Sequence, residues 1–307
     1  MSEPIRLPDG VQVFERGWLS SNNILLTGEG PTTLVDSGYC THAPLTVGLI
    51  ERQLGDLPLD LLLNTHLHSD HCGGNAALQS RYPEIRTLIP PGHAAAARTW
   101  DTTALTYLPT GQECPRFEVS DILVPGSALR LGSMDWEIHA APGHDPHSIV
   151  MFSPEHRILI SADALWFNGF GVVFPELEGI DAFSEVGSTL DLIEQLDPQL
   201  VIPGHGPLFG DVQGALLRAR QRLDSFVASP SRHARYAAKV LLKFKLLDKR
   251  IFTLDGLRSW AKSTSYLQLL HASHGRSIAI EPWLDDLVGD LVKSGAARLE
   301  GNDLIDV

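Results

Sequence analysis

The feature that most limits what this chain can fold into is a histidine-rich run at residues 65–74, directly after a continuous apolar stretch at 59–64. An unbroken apolar stretch of this length is typical of a strand buried on both faces of a sheet. His66, His68, Asp70 and His71 fall within six residues, a polar density that core packing does not explain. The pattern predicts a covered sheet whose strand end carries metal-binding side chains.

The spacing within this run also suits metal binding. Residues two apart on an extended backbone point to the same side, so His66 and His68 are predicted to face one ligand. Asp70 and His71 are predicted to open a helix, in which Asp70 also suits the N-cap position. Zinc and similar metals bind imidazole nitrogen and carboxylate oxygen. These four side chains are therefore candidate metal ligands.

Strands and helices alternate along the first two thirds of the chain, which predicts an α/β layer structure. The helices are expected to cover the sheets and to leave the strand ends open. Predicted strands lie at 11–15, 23–27, 32–36, 59–64, 86–89, 136–139, 149–152, 157–160 and 200–202, and predicted helices at 44–54, 75–81 and 181–196.

The character of the sequence changes near residue 229. A stretch at 232–250 holds seven Lys or Arg residues and one acid. Three predicted helices and a hairpin follow it, which indicates a winged-helix-like arrangement. We therefore predict a catalytic domain at 1–228 and a small, mostly helical domain at 229–307. The predicted helices lie at 254–262, 266–271 and 282–294, and the hairpin at 297–307.

Three more polar residues stand at the ends of predicted strands. They are His144 in Ala-Pro-Gly-His, Asp163 in Ile-Ser-Ala-Asp and His205 in Ile-Pro-Gly-His. Ligands of α/β proteins bind at strand ends. We therefore add these three residues to the candidate metal ligands.

The His-x-His-x-Asp-His run, the later Gly-His pair, Asp163 and the Pro-Gly-His-Gly sequence resemble the metallo-β-lactamase superfamily over roughly residues 10–210. The resemblance implies a four-layer αββα sandwich with two metals at one edge of its sheets. It also implies hydrolysis, in which a metal-bridging hydroxide attacks a carbonyl and Asp70 orients the hydroxide or takes its proton. By this resemblance the first metal is held by His66, His68 and His144, the second by Asp70, His71 and His205, and Asp163 bridges the two.

Departures from particular branches of the family narrow the activity. The diiron redox branch typically has glutamate where this chain has His68, and antibiotic-cleaving lactamases usually lack the aspartate that is Asp163 here. What remains resembles the glyoxalase II, lactonase and thioesterase group, or a branch with a winged-helix-like tail that acts on single-stranded RNA. The usual Gly-His-Thr-x-x-His stretch is one residue shorter here, so His147 is either a loop histidine or a contact of substrate or ligand.

An aromatic, glycine-rich loop follows Asp163. Trp166, Phe167, Phe170 and Phe174 are candidates for an apolar wall that contacts an acyl chain, and the alternative is that these rings pack beneath the loop. The basic stretch at 232–250 either receives a phosphate or carboxylate or forms a solvated helix face. Cys72 is interpreted as a packed small residue.

Charge and composition limit the partners. A formal net charge of −13 disfavours binding to nucleic acid or anionic lipid, although the basic stretch leaves RNA open. No apolar run approaches the roughly 18–20 residues of a membrane span, and the N-terminus does not resemble a signal peptide. Three cysteines are too few for a disulfide scaffold. A cytoplasmic protein is expected.

The leading hypothesis is a dinuclear, metal-dependent hydrolase that cleaves an ester, thioester or lactone of a small molecule. The alternative is an endoribonuclease or phosphodiesterase acting on single-stranded RNA. Two divalent metals are expected, with zinc first and iron or manganese as alternatives. The C-terminal domain is expected to shape the pocket or to form the interface of a homodimer.

Overall fold

The computed structural model describes residues 6–307. Its strands are β1 (Val11–Phe14), β2 (Asn23–Leu26), β3 (Thr33–Val35), β4 (Leu61–Leu63), β5 (Arg86–Ile89), β6 (Asp121–Ile122), β7 (Ala128–Leu131), β8 (Met134–Ala140), β9 (Ile149–Ser153), β10 (Ile158–Ala162), β11 (Leu200–Pro203), β12 (Ile251–Thr253), β13 (Ala297–Glu300) and β14 (Asp303–Asp306). Its helices are α1 (Ala43–Leu54), α2 (Ser69–Cys72), α3 (Asn75–Arg81), α4 (Ala94–Thr99), α5 (Tyr107–Thr110), α6 (Phe174–Leu177), α7 (Phe183–Leu196), α8 (Val212–Ala228), α9 (Pro230–Lys249), α10 (Leu254–Ser263), α11 (Ser265–Leu270) and α12 (Ile280–Lys293).

Two sheets form the centre of the first 228 residues. One has the strand order β1-β2-β3-β4-β5-β6, antiparallel as far as β3 and parallel from β3 onwards. The other has the order β11-β10-β9-β8-β7 and is antiparallel except for the pairing of β10 with β11. The parallel strands β3 to β6 place their carboxyl ends at one edge, where ligands of such sheets bind.

The burial of β4 explains the layering. Leu63 belongs to the core between the two sheets, whereas Leu62 points the other way and packs with Ile50 of α1. In the second sheet, Leu159 packs outward with Leu190 of α7. Two sheets face to face with helices on both outer faces form the predicted αββα sandwich.

The strand predictions are confirmed, since each one overlaps an observed strand. The sequence patterns did not reveal β6 and β7, which are short, or the long helix α8. In β7 the inward Leu129 and Leu131 alternate with the exposed Ala128 and Arg130, but four residues are too few for this alternation to identify a strand from sequence.

The C-terminal region is built from α9 to α12 and a small sheet. The hairpin predicted at 297–307 is confirmed by β13 and β14, and β12 pairs with β14, which extends the hairpin to a three-stranded sheet in the order β12-β14-β13. α9 begins at Pro230, a residue that suits the first position of a helix because its missing N–H would have no partner there. The division into domains at 228/229 stays a prediction.

Among residues 6–307, no helix combines the length and the apolar character that spanning a membrane would require.

Candidate metal centre and active site

The seven predicted metal ligands follow four strand ends. The histidine-rich run follows β4, Asp163 directly follows β10, and His144 and His205 lie in the loops after β8 and β11. The ligand atoms of these residues form three groups, and the atoms within each group lie within 4.8 Å of one another. His66 and His71 each belong to two groups, so the groups form one cluster, which we call the His/Asp cluster. The three groups are His66, His68 and His144; His66, His71 and Asp163; and Asp70, His71 and His205.

Asp163 lies at the centre of the His/Asp cluster. Its Oδ1 is 3.4 Å from His71 Nε2, and its Oδ2 is 3.4 Å from His144 Nε2. His205 Nε2 lies 3.8 Å away on another side. Gly204 makes this position available, since a Cβ at that residue would stand 2.3 Å from Asp163 Oδ1.

The donor atoms fit a divalent metal. The Nε2 atoms of His66 and His71 are buried and have no hydrogen-bond partner among the described residues, and such orphaned polar atoms are costly unless they bind something. Burial lowers the pKa of His66 well below 6.5 and that of His68 to about 4, helped by the neighbouring histidines. The imidazoles of His66 and His68 are therefore neutral, which is the form that binds metals. Burial alone would lower the pKa of His71, but Asp36, Asp163 and Asp70 raise it well above 6.5. That these residues bind metal stays a prediction.

Hydrogen bonds from outside the cluster fix the orientation of its rings. His71 Nδ1 donates to Asp36 Oδ2 at 2.7 Å, and His144 Nδ1 donates to the carbonyl of Val172 at 2.6 Å. Each bond leaves the Nε2 of that histidine unprotonated, as metal binding requires, and partners of this kind are usual around ligating histidines. In this structure His144 Nε2 lies 2.8 Å from His68 Nδ1. Trp166 Nε1 likewise donates to Asp163 Oδ1 at 3.2 Å.

Sequence reasoning missed Asp36. Its carboxylate also accepts hydrogen bonds from the backbone N–H and the hydroxyl of Thr65, at 2.9 and 2.8 Å, so it ties β3 to the start of the histidine-rich run. Its φ of +58° is uncommon for a residue other than glycine. An aspartate at the end of a buried strand, before Ser-Gly, was the feature that could have identified it.

The helix-capping prediction for Asp70 is wrong. The helix α2 begins one residue earlier, with His68 in the N-cap position and no side-chain cap. Asp70 is then the second residue of the helix, and its Oδ2 lies 3.1 Å from His205 Nε2. The aspartate contributes to the cluster, because the strand end and the first helical turn bring it beside His205.

A cavity of about 110 Å³ opens onto the His/Asp cluster. Trp18 and Trp166 form part of its wall, and the Trp18 ring stacks on His205 with 5.5 Å between centroids and 12° between planes. Phe174 lines the cavity as well and meets the ring of His68 edge-on at 5.0 Å. Aromatic rings thus stand directly against the predicted ligands.

Two residues of the predicted aromatic wall lie elsewhere. The loop after Asp163 turns back between Trp166 and Gly169, which bond to each other through their backbones. The turn directs Trp166 to the cavity and sends Phe167 outward, beneath the guanidinium of Arg218 at 4.2 Å. Phe170 is buried in the core beside the second sheet. Packing under the loop therefore describes Phe170, whereas Phe167 lies on the surface, 38% exposed.

His147 does not line the cavity either. Its ring packs against His93 with 4.6 Å between centroids, and its backbone N–H donates to Asp145 Oδ1 at 2.7 Å. Asp145 Oδ2 lies 3.8 Å from both His68 Nε2 and His93 Nδ1. His147 therefore stands one residue layer behind the cluster.

The opposite wall of the cavity comes from α9. Tyr236, Val240, Leu241 and Phe244 line it, and sequence reasoning missed them. Tyr236, Val240 and Phe244 recur every four residues inside the basic stretch 232–250, which is the spacing of one helix face. Only the charges of this stretch were considered from the sequence, and not its apolar pattern.

The charges of that basic stretch are largely paired with acids. Lys239 and Arg235 contact Asp290, and Lys243 contacts Asp306. The stretch is therefore neither an open cationic surface nor a simple solvated face.

Cys72 is buried, and its sulfur lies 3.2 Å from the hydroxyl of Tyr107. This position is consistent with a packed residue.

Comparison with known proteins identifies the family. Residues 16–205 match the model of the metallo-β-lactamase superfamily. The chain belongs to this superfamily. The matched region contains all seven residues of the His/Asp cluster, and relatives named as thioesterases and hydroxyacylglutathione hydrolases support the assignment of the chain as a hydrolase.

Three similar proteins show how far the likeness of this metallo-β-lactamase-fold hydrolase extends. The atrochrysone carboxyl ACP thioesterase of Cryptosporiopsis sp. is 23% identical over 92% of this chain and 78% of its own length. The acyl-coenzyme A thioesterase MBLAC2 of Gallus gallus is 28% identical over 66% of this chain and 80% of its own. The crystal structure of a beta-lactamase domain protein from Burkholderia ambifaria superposes with a TM-score of 0.60 at 20% identity, over 99% of this chain and 94% of that one. The structural likeness extends through the C-terminal region.

Proposed function

We propose that this hydrolase cleaves thioesters of apolar acyl groups. The observation that carries the proposal is the aromatic and apolar wall of Trp18, Trp166, Phe174 and Phe244, which stands directly against the His/Asp cluster. An apolar pocket with a few convergent polar groups suits an apolar substrate with one reactive polar bond. Both curated relatives described above are named thioesterases, which favours a thioester over an oxygen ester or a lactone.

Two divalent metals complete the proposed site. Zinc is the proposed ion, and iron or manganese suits the same donors. Divalent metals bound in such a site act as Lewis acids that polarise a carbonyl oxygen and lower the pKa of water. His66, His68 and His144 would hold one metal, Asp70, His71 and His205 the other, and Asp163 would bridge them.

Asp70 is the proposed catalytic residue of the chain itself. Burial alone would raise the pKa of its carboxyl, but the neighbouring His71 and His205 lower it below the usual value. The ionised carboxylate faces the cavity and can orient a water molecule and take its proton. The water oxygen then bonds to the acyl carbon, the carbon–sulfur bond breaks, and the proton held by Asp70 passes to the departing sulfur, so that a carboxylic acid and a thiol leave.

A substrate panel tests this proposal. The purified enzyme is assayed with one acyl group presented as a thioester of coenzyme A, as a thioester of glutathione and as an oxygen ester, and with a lactone of the same number of carbon atoms. Single-stranded RNA is included as the competing substrate. We expect the highest kcat/KM for a thioester. A higher kcat/KM for the lactone or the oxygen ester would contradict the proposal.

The RNA arm has a second readout. The lysines and arginines of α9 that contact acids count against a phosphate-binding surface. Binding of RNA through phosphates weakens steeply with salt, whereas hydrolysis of an uncharged thioester, for which the same acyl group on N-acetylcysteamine is added to the panel, should change little. Cleavage of RNA with such a salt dependence, together with an inert thioester, would replace the proposal with a nuclease.

A further inference from the structure

A second cavity lies beside the one that opens onto the His/Asp cluster. Its volume is about 470 Å³, within the roughly 300–1,000 Å³ of cavities that hold small molecules. The cavity at the cluster, at about 110 Å³, is too small for more than the reacting group. We call the larger cavity the α9 groove; its apolar walls are Val240, Phe244 and Leu247 of α9 together with Leu291, Ala296 and Val307.

The α9 groove adjoins the catalytic cavity. Trp18, Tyr236, Val240 and Phe244 line both of them. Trp18 is 56% exposed and stacks on His205, so it stands where the two cavities meet. A substrate whose reactive carbonyl reaches the cluster can therefore extend past Trp18 into the groove.

The charges at the groove favour an apolar occupant. Lys239 and Lys243 are the two basic residues of its lining. Lys239 contacts Asp290 at 3.3 Å, while Lys243 contacts Asp306 and the carbonyl of Ala296. Because acids already pair with both ammonium groups, the groove offers little attraction to the phosphates of a thiol carrier such as coenzyme A. We call this thiol part of the substrate the carrier.

We propose that the α9 groove binds the acyl chain of the substrate, so that the enzyme selects long, straight-chain acyl groups. This inference rests on the proposed thioesterase function. The carbonyl lies at the His/Asp cluster, the chain runs along α9, and the carrier stays on the solvent side. Each methylene that leaves water contributes to binding, by about fourfold at most.

Binding of inert analogues tests the groove without turnover. Ethyl, octyl and dodecyl thioethers of coenzyme A carry one carrier and cannot be hydrolysed, and their dissociation constants are measured by calorimetry. We expect the dodecyl analogue to bind at least about a hundredfold more tightly than the ethyl one, because several methylenes enter the groove.

Two substitutions that fill the groove sharpen the test. Leu247 and Ser294 both line it, and Leu247→Trp and Ser294→Trp should each reduce the dodecyl-to-ethyl affinity ratio to within about tenfold. Val292→Trp adds the same side chain two residues from Ser294, at an exposed position outside the lining, and should keep the wild-type ratio. Thermal unfolding of all three variants establishes that they are folded.

The outcomes separate this inference from the proposed function. Equal affinity of the wild-type enzyme for all three analogues would overturn the groove assignment, as would a ratio that survives both tryptophans. Length-dependent binding without hydrolysis of any thioester would support the groove and contradict the thioesterase. Thioester hydrolysis with no dependence on chain length would do the reverse.

Discussion

The catalytic cavity has two parts that are built in opposite ways. One is the His/Asp cluster, which we call the floor, and the other is the wall that Tyr236, Val240, Leu241 and Phe244 of α9 form. The floor takes four of its seven polar residues from a single run of six, at 66–71, and strand ends and hydrogen bonds fix their positions. The wall comes from α9, far along the chain, and is held by apolar packing and surface ion pairs. The reactive groups are therefore encoded locally, whereas the surface that selects the substrate depends on contacts between distant segments.

The largest expected effect comes from removing the centre of the floor. Asp163→Ala deletes the carboxylate that lies between His71 and His144. We expect elemental analysis to show a loss of bound metal and kcat/KM for a thioester to fall by about a thousandfold, more than the roughly 10–100-fold that partners of ligands cost.

Asp191→Ala is the matched control, because this aspartate forms a surface ion pair with Arg220 and should leave metal and turnover unchanged. Treatment with a chelator should reproduce the Asp163→Ala result. Two metals per chain and wild-type turnover in Asp163→Ala would show that this carboxylate is needed neither for metal binding nor for catalysis.

The junction between the floor and the wall should contribute to the loss of stability in acid. His233 of α9 accepts a hydrogen bond from the N–H of Val173 at 3.1 Å. Burial, and secondarily the charge of His274, lower its pKa from 6.5 to about 4. Between these values the unfolded chain binds more protons, so the stability from this group is lost as pH falls from about 6.5 to 4, by about 3 kcal/mol in all.

Substitution separates this contribution from general acid effects. His233→Gln keeps an acceptor for Val173 but does not titrate, so its free energy of unfolding should fall less between pH 7 and pH 4.5 than that of the wild type. His156→Gln, at an exposed histidine, should follow the wild type. Urea unfolding at both pH values measures the difference, and parallel curves for all three proteins would show that His233 is not the group involved.

A moderate effect on metal affinity is expected at Asp36, which bonds to His71 from outside the His/Asp cluster. Asp36→Asn removes the charge that orients His71, while asparagine tolerates the positive φ of this position. We expect metal affinity to fall by about 10–100-fold, measured by competition with a chromogenic chelator. Asp60→Asn, which alters a carboxylate bonded to the backbone of Thr32, is the control. Equal affinities for the two variants would mean that the hydrogen bond to His71 has no influence on binding.

The contrast between floor and wall also explains what the sequence could predict. The seven residues of the His/Asp cluster could be brought together on paper because strand ends share one edge of a sheet. Asp36 was missed because its role depends on a bond to a residue 35 positions away. For Phe167 and Phe170 the sequence left a cavity wall and packing beneath the loop as alternatives, because a tight turn at Gly169, with φ of +119°, decides which ring of the loop faces the cavity. No periodic pattern encodes such a turn.

The smallest effect on metal affinity is expected at Asp145. Its size tests whether a carboxylate must be within hydrogen-bond distance of a histidine of the cluster to influence metal binding. Asp145 lies behind His68 as Asp36 lies behind His71, but its Oδ2 is 3.8 Å from the ring nitrogen rather than 2.7 Å. Asp145→Asn keeps an acceptor for the N–H of His147 and removes only the charge. Because 3.8 Å exceeds hydrogen-bond length, we expect metal affinity to fall by less than about tenfold, in the same chelator competition. A loss equal to that of Asp36→Asn would show that the gap closes when metal binds, and that His68 is held as firmly as His71.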